Sequence, residues 1–223
     1  MHTLLFDIDG TLIRSGGAGS RAVYRAMGTV FGIGEPGEVH MHGCTDRGLS
    51  RTLFQRHAIP ETEENWHRFI AGYLELLDDE LARADGEVLP GIVSLIEALA
   101  VRDDVYLGLL TGNIRKGAEK KLAHYGLMRY FRDGGFGDHH HERDDVARWA
   151  REVVEQELSD TFQPQRLWVI GDTPADIRCG RAIGARVVAV TTGGYRREEL
   201  AASEPDWILD ELGADSPWLR ELA

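Results

Sequence analysis

The sequence predicts an α/β fold: a doubly wound parallel sheet with an inserted α-helical cap domain. Three observations lead there. Short apolar runs at Leu4-Leu5-Phe6, Val105–Leu110, Leu167–Ile170 and Arg186–Val190 have the composition of strands buried on both faces. From Val105 onward these runs alternate with segments of helical period, as in βα units. Phe6 and Val105, by contrast, lie about a hundred residues apart, whereas a parallel crossover needs only a dozen or so.

The elements follow in order. Leu4–Phe6 is the first strand, and Gly10 permits a sharp turn behind it. The glycine-rich stretch Arg14–Ser20 lacks the lysine and spacing of a phosphate-cradling loop and reads as a hinge. Three amphipathic helices come next. Their apolar positions are Ala22, Val23, Ala26, Met27, Val30 and Phe31, then Leu49, Leu53 and Phe54, then Trp66 through Leu77. No further strand is expected between Phe6 and Val105, so residues 15–87 form the helical cap, and residues 1–14 with 88–223 form the α/β core. Val88-Leu-Pro-Gly91 is the return hinge, with Pro90 and Gly91 opening helix Ile92–Val101. Helix Arg115–Tyr125 ends at Gly126, a short glycine-rich strand or turn covers Phe131–Gly137, and helix Asp144–Leu158 follows. Helix Ala175–Ile183 ends at Gly184, and Asp206–Leu209 makes a last short strand.

Composition narrows the function. The chain has 223 residues, 43% hydrophobic and 28% charged, room enough for a core plus an insert. A net charge of −12 argues against nucleic acid or an anionic membrane as partner. No run approaches the ~18 apolar residues of a membrane span. Asp7 interrupts any signal-like N-terminus, and Cys44 and Cys179 form neither a disulfide framework nor a metal motif. The expectation is a cytoplasmic protein without nucleic-acid or membrane partners; oligomeric state is not encoded legibly.

Chemistry gathers at the predicted strand ends. Along extended backbone Asp7 and Asp9 point the same way while Ile8 points back into the protein. Two acids together at a buried strand end repel each other and lose hydration, which calls for a cation between them. A capping turn needs only one such acid. Thr111-Gly112-Asn113 places a hydroxyl and a tight turn after Leu110, where helix-start amides and the hydroxyl suit a phosphate oxygen. Asp172 and Asp176, in Gly171-Asp172-Thr173-Pro174-Ala175-Asp176, add two hard oxygen ligands of the kind Mg²⁺ takes. Thr173 or Asp172 suits a helix cap there and Pro174 a first helical position.

Asp7-Ile8-Asp9-Gly10-Thr11-Leu12, Leu110-Thr111-Gly112-Asn113 and Gly171-Asp172…Asp176 together resemble, in order, the first, second and fourth motifs of the haloacid dehalogenase-like superfamily. The insert after the first motif is similar to that of its phosphoglycolate-phosphatase-type members. The resemblance implies an Mg²⁺-dependent phosphatase acting on a small phosphorylated metabolite through a phosphoaspartate. Asp7 would be the nucleophile and Asp9 the acid–base; Asp7, Asp9 through its carbonyl, Asp172 and, in support, Asp176 would hold the metal. Thr111, Gly112 and Asn113 would bind the phosphoryl oxygens. The family's third motif is a lysine, and no lysine follows Lys121, so Arg143 takes that place, with Lys116 in reserve. Lys116, Lys120 and Lys121 read as an exposed helix face, and His139-His140-His141 as a polar surface loop. Thr45 and Arg47, in Gly43-Cys44-Thr45-Asp46-Arg47, are candidate substrate contacts from the cap. The alternatives are a β-phosphoglucomutase-like mutase, a dehalogenase, against which Asp9, Asp172 and Asp176 count, and a non-catalytic receiver-like module.

Overall fold

The computed structural model of the chain describes residues 1–222. In chain order the elements are β1 (His2–Phe6), β2 (Ile13–Arg14), α1 (Ala18–Phe31), α2 (Asp46–Arg56), α3 (Glu63–Arg83), β3 (Glu87–Val88), α4 (Ile92–Ala100) and β4 (Val105–Leu110). Then come α5 (Arg115–His124), β5 (Gly134–Gly135), α6 (Arg143–Leu158), β6 (Leu167–Gly171), α7 (Pro174–Ala182), β7 (Arg186–Val190), α8 (Arg197–Ala201) and β8 (Trp207–Leu209).

Six strands form a parallel sheet in the order β5-β4-β1-β6-β7-β8. All five residues of β1 are buried, and its apolar run Leu4–Phe6 is that of a strand covered on both faces. Its neighbours are β4 and β6, with Phe6 level with both Leu109 and Ile170. That register matters most for function: the residues just past Phe6, Leu109 and Ile170 emerge side by side at one edge of the sheet.

Alternation along β1 sorts its side chains between two cores. Leu4, Phe6 and Ile8 join the face covered by α4 and α5, together with Leu107, Leu109 and Ile170. Leu5 joins the opposite face, where Val146, Ala147 and Ala150 of α6 pack with Val169 and Cys179. Asp7 shares Leu5's parity and so faces α6.

Helices α1, α2 and α3 bury their own cluster, with Met27, Leu53, Phe54, Phe69 and Leu77 at most 1% exposed. Each such side chain contributes roughly 1.5–3 kcal/mol of burial. Thr45 and Thr62 start α2 and α3 by accepting the amides of Gly48 and Asn65.

Two features differ from expectation. A strand pair does precede Val105: β2 and β3 run antiparallel, Ile13 opposite Val88, at the point where the chain leaves the sheet and returns to it. Two residues on each side are too few for a periodic signal. The predicted segment Phe131–Gly137 contracts to the two-residue edge strand β5.

Candidate active site

The level ends of β1, β4 and β6 deliver Asp7, Thr111 and Asp172 to one place, the ligand-binding edge of a doubly wound sheet. One carboxylate oxygen each from Asp7, Asp172 and Asp176 lies within 4.8 Å of the others, all three residues buried. Gly10 turns the chain at φ +87°, and its missing Cβ matters as much as its angle: one there would stand 2.5 Å from Asp172 Oδ2.

These acids are not equivalent. Asp176 spends both oxygens on structure. Oδ2 accepts from the Thr173 amide and hydroxyl, completing a capping box at the start of α7, and Oδ1 accepts from Arg143. Asp172 accepts from the Thr11 hydroxyl at Oδ1 (3.1 Å), while Oδ2 is buried without a partner. Burial, then the nearby Asp176 and Asp7 charges, push its carboxyl well above the usual range. A divalent cation fits such a set: it would satisfy the orphaned oxygen and offset the repulsion, and carboxylate oxygens are its preferred donors. Asp7 and Asp172 have the oxygens to hold it, with Asp176 behind them.

Arg143 sits at the first position of α6, only 4% exposed, with Nη2 donating to Asp7 Oδ1 (2.8 Å) and the Leu110 carbonyl (3.1 Å). The parity of Asp7 explains the meeting, since α6 packs on that face. Arg143 moderates but does not cancel the effect of burial on Asp7, whose carboxyl is pushed up to about 6. Its Nε is buried without a partner, and Nη1 would stand 2.9 Å from a Cβ on Gly112. Such a Cβ would also overlap the Cys44 carbonyl, so only glycine fits there.

Thr111 is fully buried, and its hydroxyl oxygen accepts from the Asn113 amide (3.3 Å) and side chain (2.9 Å), leaving its own O–H uncommitted. Asn113 also donates to Asp9 Oδ2 at 3.0 Å. Asp9 is gripped further by Ser15 at Oδ1 (3.1 Å) and by Lys121 at Oδ2 (2.5 Å). Burial raises its carboxyl, but Lys121, Asn113 and Ser15 outweigh that, and the net direction is down.

Lys121 corrects the exposed-face reading of the lysines. Lys116 is exposed and Lys120 pairs with Asp78, but Lys121 is only 4% exposed and lines the cavity. Its signal was available: Ile114, Ala118 and Lys121 share the three- and four-residue spacing of the buried stripe of α5. His139 to His141 lie in the loop before α6, with His139 exposed, and none of them joins the acidic cluster.

The helical segment closes the site. The Asp46 amide donates to Gly112 O (2.7 Å), the Ile114 amide donates to Asp46 Oδ2 (2.8 Å), and the Thr45 hydroxyl donates to His141 O (2.9 Å). Between the two parts lies a cavity of 460 Å³, lined by Asp7, Asp9, Asn113 and Lys121 below and by Val23, Leu49 and Tyr73 above. Thr45 reaches it but spends its hydroxyl on the α2 cap and His141. Arg47 does not line it; its guanidinium pairs with Glu63 and stacks 4.7 Å over Trp66. Asp46 and Tyr73, both at the cavity, were not singled out in the sequence, because a lone acid and one aromatic of a helical stripe carry no pattern of their own.

Fold and site together define an α/β protein with an acidic cluster at the carboxyl edge of its sheet, roofed by a helical insertion. The chain belongs to the haloacid dehalogenase-like hydrolases, whose family model matches residues 4–190. It is 27% identical over 210 residues to a phosphoglycolate phosphatase of Synechococcus elongatus, covering 94% of this chain and 93% of the relative. A phosphoglycolate phosphatase of Vibrio vulnificus is 27% identical over 222 residues, covering 94% and 92%. Among solved structures, one described as a predicted phosphoglycolate phosphatase from Haemophilus somnus superposes with a TM-score of 0.73 at 20% identity, covering 100% of this chain and 98% of that one.

Proposed function

We propose that this protein is an Mg²⁺-dependent phosphatase that hydrolyses a small phosphate monoester through a phosphoaspartate on Asp7. The observation that carries the reading is Asp7 itself: a carboxylate at a buried strand end, next to Arg143, lining the 460 Å³ cavity beneath the helical segment. Asp7 attacks phosphorus and the ester oxygen leaves, so one difficult displacement becomes two easier ones. Asp9 gives its proton to the departing alkoxide and then takes one from the water that attacks the phosphoaspartate. Arg143, the Thr111 hydroxyl and the amides of Gly112 and Asn113 bind the equatorial oxygens as charge shifts among them. Asp7 and Asp172, with the Asp9 carbonyl, would hold Mg²⁺, which would supply positive charge that lets an anionic substrate approach an anionic nucleophile.

Residues 15–87 act as the cap that excludes bulk water, with β2 and β3 as its neck. Phosphoglycolate is the first substrate to test, since the Synechococcus elongatus and Vibrio vulnificus relatives, covered over more than nine-tenths of their length, are phosphoglycolate phosphatases. The two free cysteines suit a reducing compartment, the cytoplasm. The test is phosphate release from a panel of small phosphomonoesters with Mg²⁺ and with chelator. Mg²⁺-dependent release that disappears in Asp7→Asn supports the reading; release indifferent to chelator overturns it.

A further inference from the structure

We infer that Lys121 is a positioning residue for Asp9, reserving one carboxylate oxygen as a fixed anchor so that the other carries the catalytic proton. The inference rests on the phosphatase reading given above. Lysine is almost never fully buried without a partner, because its ammonium loses hydration there. Arg143 and Lys121 are both buried cations of the cavity, and they divide its acids between them. Arg143 takes Asp7 and Asp176; Lys121 takes Asp9 at 2.5 Å and Asn113 Oδ1 at 2.7 Å.

The two oxygens of Asp9 are treated differently. Oδ2 receives both the Lys121 ammonium and the Asn113 amide, whereas Oδ1 receives only the Ser15 hydroxyl, at 3.1 Å. An oxygen facing two donor groups, one of them charged, has no room for a proton of its own. Oδ1, with its single hydroxyl contact, is therefore the oxygen left to exchange a proton with the reacting groups. Asp9 needs such an anchor because it lies on the turn beyond β1 with its side chain 37% exposed to the cavity. Lys121 supplies rigidity that the turn lacks: it projects from α5, whose Ala118 and Leu122 are fully buried against the sheet. Contact with Asp9 also satisfies the ammonium's charge, so substrate binding does not depend on it.

The test compares two leaving groups in the full-length enzyme with Mg²⁺. An alkoxide needs a proton to depart; p-nitrophenolate does not. In Lys121→Met the kcat for phosphoglycolate falls by about 10–100-fold with KM unchanged, the scale of a misplaced acid–base group. With p-nitrophenyl phosphate the same variant releases one p-nitrophenolate per site in a burst at wild-type speed. A slow steady phase follows, because attack of water on the phosphoaspartate still requires Asp9. Lys121→Gln, which retains a single donor, shows the same split with a smaller loss and serves if Lys121→Met does not fold. An unchanged kcat, a raised KM at unchanged kcat, or an equal slowing of burst and steady phases overturns the inference while the wild-type enzyme remains a phosphatase. A wild-type protein that releases no phosphate from either ester overturns the phosphatase reading and this inference with it.

Discussion

Burial of the Asp7 carboxyl costs stability, and Asp7→Asn makes the cost measurable. Burial, with the Asp176 and Asp9 charges, pushes the Asp7 carboxyl from 3.8 to about 6 despite Arg143. A group whose folded value lies above its unfolded value favours the native state when protonated. That stability is complete below pH 3.8 and is lost as the pH rises through 6. The displacement corresponds to about 3 kcal/mol withheld from the metal-free protein at pH 8. Asparagine keeps the shape and an acceptor for Arg143 without the charge. Urea unfolding in chelator therefore gives Asp7→Asn a gain of about 3 kcal/mol at pH 8 and about half of that at pH 5. Saturating Mg²⁺ narrows the difference, because a cation beside Asp7 stabilises the ionised form in the wild-type protein alone. A variant no more stable than wild type at pH 8 in chelator, or a gain indifferent to pH, refutes the reasoning.

Three further outcomes follow from individual contacts. Arg143→Met leaves Asp7 and Asp176 buried without their cation and lowers stability by about 3–5 kcal/mol in urea unfolding at pH 8, with activity lost. Asp172→Asn removes a free carboxylate oxygen at the cation position, so titration calorimetry shows Mg²⁺ affinity reduced at least about tenfold. The same variant is more stable than wild type in chelator, since the Asp172 carboxyl is raised in the folded state. Gly112→Ala drives a Cβ into the Cys44 carbonyl and parts the helical segment from the core; kcat falls about 100-fold in a phosphate-release assay.

The sheet was legible because buried parallel strands are written as unbroken apolar runs, and β1, β4, β6 and β7 each carry one. Strand ends in such a sheet are level, so acids after Phe6 and Ile170 could be expected to meet even though 161 positions separate Thr11 from the Asp172 it holds. Arg143 came from the resemblance, whose third motif asks for a cation where no lysine follows Lys121; the residues themselves showed only a cation at a helix start. What escaped was local or cooperative. The β2–β3 ribbon is two residues per strand, below any period. Lys121 was lost because lysines at 116, 120 and 121 look alike in a list, and only the rotation of α5 separates the buried one from its exposed neighbours. Arg47 was drawn toward the site by its place in the chain, while its partners, Glu63 and Trp66, come from a different helix.

The most direct test of the account is to stop the working enzyme in acid during its first turnover with Mg²⁺ and map the phosphorylated peptide. One phosphoryl group on Asp7, absent in chelator, is the expected result. Phosphate released at an undiminished rate by Asp7→Asn, with no phosphoryl group on Asp7 of the wild type, would contradict it.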